Sequence, residues 1–253
     1  SDISAIQNVV YIFSSILFIS GIKMLGKEDT AVRGNFLSAS AMFIAVAVTI
    51  INVVNPVIVL IGVSIGAVIG SLIALRVKMT SIPEMVALFN GFGGLATFFI
   101  AWSEFNAIPD NVFQYIVIML TTYIGGVTFS GSIIAYGKLS EKLKVKKDSF
   151  VTKIFTTFFY ASILFLVYSI GFTEIIELPI NFYTVLLILT LLGGIGFVIP
   201  IGGGDMPVVI SLLNSFSGIA AAFAGLLLLN NVLIVAGSLV GASGLILTII
   251  MAK

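Results

Sequence analysis

The chain contains 253 residues, of which 59% are hydrophobic and 9% charged. A typical soluble domain is about 45–50% apolar and about 25% charged, and the 23 charged residues here (12 basic plus 11 acidic) cannot cover so much apolar surface. The composition excludes a soluble globular enzyme, a disordered chain and a nucleic-acid-binding protein, and it indicates a polytopic helical membrane protein. The sequence has no Cys and no His, which excludes thiolate chemistry and removes the commonest proton carrier and metal ligand.

Apolar runs of about 20 residues predict nine membrane-spanning helices. They cover residues 4–24, 35–53, 56–75, 83–104, 111–137, 153–172, 180–199, 206–229 and 231–252. Helix-breaking residues separate most of them, at 26–34, Asn55-Pro56, Pro83, Pro109-Asp110, Pro179 and 202–204. The predicted fold is therefore an all-α transmembrane bundle over residues 1–253, with short loops and no room for a separate soluble domain.

The charges predict an orientation for this bundle. If the N-terminus lies outside, every basic residue lies inside, as the positive-inside rule requires. These residues are Lys23, Lys27, Arg33, Arg76, Lys78, Lys138, Lys142, Lys144, Lys146, Lys147, Lys153 and Lys253. The outside then carries only acids, which are Asp2, Glu104, Asp110, Glu174 and Glu177. We therefore expect the C-terminus inside.

Two of the predicted helices resemble each other. Residues 83–99 read PEMVALFNGFGGLATFF and residues 207–223, 124 positions later, read PVVISLLNSFSGIAAAF, with seven of 17 positions identical. One hypothesis is a parallel repeat of three helices, spans three to five and seven to nine, of the kind found in transporters. The other is two similar helices that share small residues for packing.

Each of these two helices carries an Asn about 10 Å along the helix from a Pro near its start. A polar side chain at that depth in a bilayer is energetically costly, so each Asn is a candidate functional residue. Asn90 and Asn214 each lie on a stripe of small residues, and Phe residues occupy the opposite faces. We expect both amides to face packed helices or a water cavity and the Phe rings to face lipid. An amide can hold water in a proton wire, which Ser130, Ser132 and Ser215 could extend. The alternative role is interhelical hydrogen bonding.

The predicted inner mouths of these helices carry Glu84 and Asp205. An acid in the first turn of a helix is also ordinary helix-start chemistry. Asp205 follows a glycine loop that includes Gly203 and Gly204, which could dock a soluble partner. No Lys-Ser or Lys-Thr follows these glycines, so they do not form a phosphate-binding loop. The Lys-rich segment 138–147 orients the protein and could contact anionic lipid.

Four segments resemble the membrane domain of the beta subunit of proton-translocating nicotinamide nucleotide transhydrogenase. They read GGDMPVVISLLNSFSGIAAAFAG from Gly203, IPEMVALFNGFGG from Ile82, SGSIIAYGKL from Ser130 and LIVAGSLVGASG from Leu233. The resemblance implies a domain that couples proton flow across the bacterial plasma membrane to hydride transfer between NAD(H) and NADP(H). It places the proton path and its coupling at Asn90, Ser132, Asn214 and Asp205.

The resemblance also implies what lies beyond this chain. The family carries an NADP(H)-binding domain after the last span, and we expect that domain to be absent here, since the chain stops at Lys253. The expected partners are that soluble domain at the inner face, alpha subunits with an NAD(H) domain and further spans, membrane lipid, and a second copy of the whole enzyme. We expect no cofactor, no metal and no hydride-transfer residue in this chain.

Many family members carry a titratable His where this chain has Asn90. Either a partner subunit supplies that His, or Glu84 or Asp205 titrates and water carries the proton; we favour the partner. Two other functions stay open, namely a secondary transporter of a small solute and a purely structural membrane subunit.

Overall fold

A computed structural model describes residues 2–51, 53–147, 149–172 and 180–253 of the chain. Nine long helices occupy the described residues, joined by short connections. They are α1 (Asp2–Leu25), α2 (Ala31–Ile50), α3 (Pro56–Arg76), α4 (Ile82–Asn106), α5 (Val112–Leu139), α6 (Phe150–Phe172), α7 (Ile180–Val198), α8 (Met206–Leu227) and α9 (Asn231–Met251). The prediction of an all-α fold with nine helices is confirmed.

Most helix ends lie within three residues of the predicted positions, because Pro and Gly mark them. Pro56, Pro83 and Pro207 occupy the first or second position of α3, α4 and α8, where a missing N–H costs nothing. The predicted break at Gly34 is wrong: α2 begins at Ala31, and Gly34 is buried inside it. Glu174, Glu177 and Pro179, which were placed in the loop before α7, lie outside the described residues, as does the side chain of Asp2.

Eight of the helices are long and apolar enough to cross a membrane by length and composition. The ninth, α7, is shorter in its described apolar part, residues 182–198. Helix α3 has the highest mean hydropathy, 2.7, and buries none of its residues within this chain. A helix that is apolar on every side is typical of a lipid-facing span.

The chain divides into two compact units, residues 1–77 with 231–236, and residues 78–230 with 237–253. In the first unit α1 packs closely against α2, because Gly21 and Gly34 let the backbones approach: a Cβ added at Gly34 would lie 2.7 Å from the Gly21 carbonyl oxygen. Two hydrogen bonds join the same helices, from Gln7 Nε2 to the Val48 carbonyl at 2.9 Å and between the Tyr11 and Thr49 hydroxyls at 2.8 Å.

Helix α5 forms the centre of the second unit and packs against α4, α6, α7 and α8. One buried cluster lies near its end, where Ala135 meets Ala87 of α4 and Met206 and Leu213 of α8. We call this the basic end of the unit, because the Lys-rich segment 138–147 follows it. A second buried cluster lies toward the opposite end and includes Phe105, Ile118 and Tyr183, with the rings of Phe105 and Tyr183 stacked at 3.8 Å.

The two similar helices, α4 and α8, begin and pack alike. Each follows a three-residue 3-10 turn, at Met79–Ser81 and Gly203–Asp205, and these turns are 124 residues apart like the sequences that follow. A Cβ at Gly94 of α4 would lie 2.7 Å from the Gly125 carbonyl oxygen of α5, and one at Gly218 of α8 would lie 2.8 Å from that of Gly237. Gly94 and Gly218 are 124 residues apart and each makes a close contact with the next helix, which favours duplication, although their partners Gly125 and Gly237 are 112 residues apart. That the repeat includes α3 and α7 stays a prediction.

We predict that Gly94→Val destabilises the chain, because the new side chain would overlap the α5 backbone and Thr128. Overpacking of this kind costs about 1–3 kcal/mol. Gly66→Val in α3 is the matched control, since a Cβ there meets no atom within 4 Å. Thermal unfolding of both variants in detergent tests this, and equal midpoints would contradict the close α4–α5 contact.

Candidate polar pathway in the membrane

Asn90 on α4 forms a hydrogen bond across the interface with α5. Its side-chain nitrogen donates to the Ser132 hydroxyl at 3.1 Å, and Ser132 is fully buried. The bond forms because Gly91, next in sequence, lets α5 approach: a Cβ there would lie 3.0 Å from that of Ser132. The small-residue stripe predicted on α4 is buried at Ala87, Gly94, Thr97 and Ala101. Phe89, Phe92 and Phe99 are exposed, as predicted.

Helix α8 reaches the same position from the other side. The Ser217 hydroxyl donates to the backbone carbonyl of Asn90 at 3.3 Å. Asn90 is half-buried. Its side chain bonds to α5 through Ser132, and its backbone carbonyl bonds to α8 through Ser217. Sequence reasoning named Ser132 but gave Ser217 no partner, since only the crossing of α4 and α8 brings Ser217 to Asn90.

Asn214, the counterpart of Asn90, is exposed rather than packed against neighbours. It lies one turn before Ser217, which contacts α4, and Gly218, which contacts α9, so its amide opens into the groove between those helices. The reason it lacks a partner lies in α9. At the level where Ser132 meets Gly91, α9 places Gly244 against Ser215, and Gly244 has no side chain to offer. Among the described residues, none bonds to the Asn214 side chain.

The Phe residues of α8 also differ from expectation. Phe216 packs against Phe197 with ring centroids 6.2 Å apart, and Phe223 packs on the cluster around Phe105, so both are half-buried instead of facing lipid. The reason is that α8 is covered on more sides than α4: its remaining face packs against α5 through Val209 and Leu213. A stripe pattern alone cannot reveal a second covered face.

The remaining predicted serines divide into two kinds. Ser130 is buried but donates to the Gly126 carbonyl of its own helix at 3.0 Å. Ser215 is buried and donates across to the Gly241 carbonyl of α9 at 2.6 Å. Ser211 and Thr248 join the same α8–α9 interface, with their hydroxyls 3.0 Å apart. The Ser130 hydroxyl is therefore bonded within α5, whereas the Ser215 hydroxyl links α8 to α9.

The predicted mouth residues all lie at the basic end. Glu84 is half-buried in the first turn of α4, and Asp205 is exposed at the start of α8. Gly203 and Gly204 are exposed, and a Cβ on either would meet no atom within 4 Å. Neither packing within the chain nor a positive φ therefore requires glycine there. Sequence reasoning missed Lys138 as a structural residue: its ammonium donates to the carbonyls of Ile199 and Ile201 and holds this loop to α5.

The opposite end of the unit has an acidic cavity of about 140 Å³ between α4, α5 and α8. Glu104, Asp110 and Gln114 contribute its polar side chains. Among the described residues no three carboxylates gather in a group that could hold a metal ion. The glycines at 91, 93 and 94 lie inside α4, and no strand precedes them among the described residues, so these glycines do not form a dinucleotide-binding loop.

A bundle of apolar helices with hydrogen-bonded amide and hydroxyl groups at membrane depth is a polytopic membrane protein with a candidate polar pathway. Comparison with known families is specific: residues 7–253 match the family described as NAD(P) transhydrogenase beta subunit. The chain therefore belongs to that family, whose members are membrane components of a transhydrogenase.

Two curated relatives agree with this assignment. Both are the NAD(P) transhydrogenase subunit beta of Rhodospirillum rubrum, one of them from strain ATCC 11170, and each is 36% identical over 255 aligned positions. The alignment covers 96% of this chain but 54% of the relative, so the chain spans about half of the curated subunit's length.

We predict that Asn90 and Ser132 are energetically coupled. Interhelical hydrogen bonds in membranes contribute about 0.6 kcal/mol on average, so a double-mutant cycle of Asn90→Ala and Ser132→Ala should yield an interaction of about that size. A parallel cycle with Ser130→Ala should give none, because Ser130 bonds to its own helix. Unfolding in mixed micelles measures both, and equal coupling in the two cycles would contradict the assigned pairing.

Proposed function

We propose that this chain is the proton-translocating membrane domain of an NAD(P) transhydrogenase. In this proposal, proton movement through the chain is coupled to hydride transfer between NAD(H) and NADP(H) on soluble domains outside it. Membership of the beta-subunit family supports the enzyme, and the observation that supports the path is the Asn90–Ser132 pair beside the open Asn214 groove. The chain itself contributes no hydride-transfer residue and binds neither nucleotide.

The proposed path follows α4. Glu104 and Glu84 stand 20 residues apart on this helix, which is about 30 Å and matches the hydrocarbon thickness of a bilayer. Asn90 lies between them, about 9 Å from the Glu84 end. The path joins the acidic cavity at Glu104 and Asp110 to Glu84 and Asp205 through water held by Asn90 and Ser132.

A partner subunit completes this path. Amides and hydroxyls can relay a proton through water but do not titrate near neutral pH, and the chain contains no His. Asn214 opens on a groove between α4 and α9 with no described side chain to bond it, and a polar group left in hydrocarbon costs several kcal/mol. A partner helix with a titratable His would bond Asn214 here, one turn from the residue that contacts Asn90, which is Ser217.

The other partners follow from the family. The alpha subunit carries the NAD(H) domain and further spans, and the NADP(H) domain docks at the basic end. The glycine loop with Gly203 and Gly204 leaves its backbone open for that docking, with Asp205 beside it. The basic end then lies in the cytoplasm of a bacterium, the protein lies in the plasma membrane, and the whole enzyme forms a dimer.

We predict that Asn90→Ala and Asn214→Ala each uncouple proton flow from hydride transfer in the assembled enzyme. Loss of one hydrogen bond in the path is worth about 1 kcal/mol, or roughly a fivefold fall in proton flow per hydride transferred. Asn106→Ala is the control, because Asn106 bonds to its own helix at Trp102. The measurement is acidification of vesicles alongside hydride transfer.

Two other results would reject the proposal. If both variants keep full coupling, the amides serve only to hold helices together and the chain is a structural subunit. If coupling is unchanged but a small solute protects residues around Asn90 and Asn214 from labelling, the chain is a secondary transporter.

We also predict that this chain alone conducts few protons when it is reconstituted in vesicles. Addition of the alpha membrane subunit should restore conductance, since it would supply the titratable group. The variant of that subunit with its membrane His replaced by Asn is the matched control and should not restore it. Full conductance from the beta chain alone would mean that Glu84 or Asp205 titrates instead.

A further inference from the structure

The basic end of the second unit contains a cavity that the proposed proton path does not use. Its volume is about 210 Å³. It lies between the segment after α5 and the loop before α8. Residues that line it include Lys138, Lys144, Lys147, Ile201, Gly202 and Gly203.

Three of the lining residues are lysines, and none of the described lining residues is acidic. The Glu141 carboxylate lies 3.7 Å from the Lys144 ammonium, and both side chains are largely exposed, at 82% and 77%. An exposed ion pair of this kind contributes little, so it leaves Lys144 available to another anion. Lys147 forms no ion pair with any described residue.

One lysine side chain and the backbone that carries the other two lysines are held by hydrogen bonds. Lys138 is fixed by the carbonyls of Ile199 and Ile201 at the floor of the cavity. The segment after α5 is tied at its start, where the Leu143 N–H donates to the Gly137 carbonyl at 2.8 Å. It is tied again where the Thr152 hydroxyl donates to the Lys146 carbonyl at 2.8 Å. Such preorganisation lowers the entropy lost when an anion binds.

The opposite wall is backbone. Gly202 and Gly203 carry no side chain that could cover it, and a Cβ on either would meet nothing within 4 Å. A ligand can therefore approach the peptide groups closely. A cavity lined by three lysines and by open glycine backbone suits a compact and highly charged oxygen anion.

We propose that this cavity is a binding site for a phosphate group, supplied by the headgroup of an anionic phospholipid of the inner leaflet or by free phosphate. The site shares Gly203 with the loop that the proposed function assigns to docking of the NADP(H) domain. Binding of a phosphate group is measured without proton flow or hydride transfer, so its failure and the failure of the proposed function are distinguishable. A bound lipid would tie the loop that carries Asp205 to the membrane surface.

The test uses the assembled enzyme in neutral detergent. Native mass spectrometry measures retention of dioleoyl phosphatidylglycerol, with dioleoyl phosphatidylcholine and inorganic phosphate as separate probes. Lys144→Gln with Lys147→Gln should weaken phosphatidylglycerol binding about thirtyfold, which is the effect expected for the loss of two lysines near an anionic headgroup. Lys142→Gln with Lys146→Gln removes the same charge from the same segment, but neither lysine lines the cavity, and Lys142 instead contacts Tyr136. This control should change binding less than twofold.

The outcomes separate the possible sources and the possible errors. Retention of phosphatidylglycerol that inorganic phosphate competes away identifies the lipid headgroup as the source. Binding of inorganic phosphate without retention of phosphatidylglycerol identifies free phosphate. Equal losses in the two double variants would reduce the effect to general surface charge and overturn the site. The site would also be overturned if neither phosphatidylglycerol nor inorganic phosphate binds while the enzyme and both variants elute as the intact complex.

Discussion

Helices in a bilayer gain almost nothing by burying apolar surface against each other, because lipid tails are as apolar as leucine. Association therefore depends on close backbone approach and on polar groups that find partners. Glycines at 94 and 125 bring α4 and α5 together, and glycines at 218, 237 and 241 do the same for α8 and α9. The hydrogen bonds of Asn90 and Ser215 form only where these contacts already exist.

The same constraint decides which polar groups can serve the proposed path. Thr121 is buried and donates to the Val117 carbonyl one turn back, so its hydroxyl is committed to its own helix. Asn90 has a second amide hydrogen and an acceptor oxygen left after its bond to Ser132. The side chain of Asn214 bonds to no described residue, so both of its donor hydrogens and its acceptor oxygen are available. In the proposed path, both amides would therefore be available to hold water.

Much of the fold could be predicted, because the signals were local. Pro56, Pro83 and Pro207 mark helix starts, and apolar length gives the number of helices. The break predicted at Gly34 is wrong because glycine, which destabilises helices in water, allows helices in a membrane to approach closely. Asn90 and Ser132 could be named from polarity and depth, yet the partner of Ser217 and the open position of Asn214 depend on how α4, α8 and α9 cross. Residues 42 or 127 apart carry no local signal of such contacts.

The difference between the two matching helix pairs is the strongest structural reason to assign a function to Asn214. If α4–α5 and α8–α9 derive from one unit, the amide at each matching position began with the same opportunity to bond. In the first pair the Ser132 hydroxyl bonds to the amide of Asn90. In the second pair Gly244 packs closely against α8 but has no side chain that could bond to Asn214. An amide left open at membrane depth is unfavourable until another subunit meets it. The group that relays protons would then also favour assembly, so that a path across the membrane exists only in the complete enzyme.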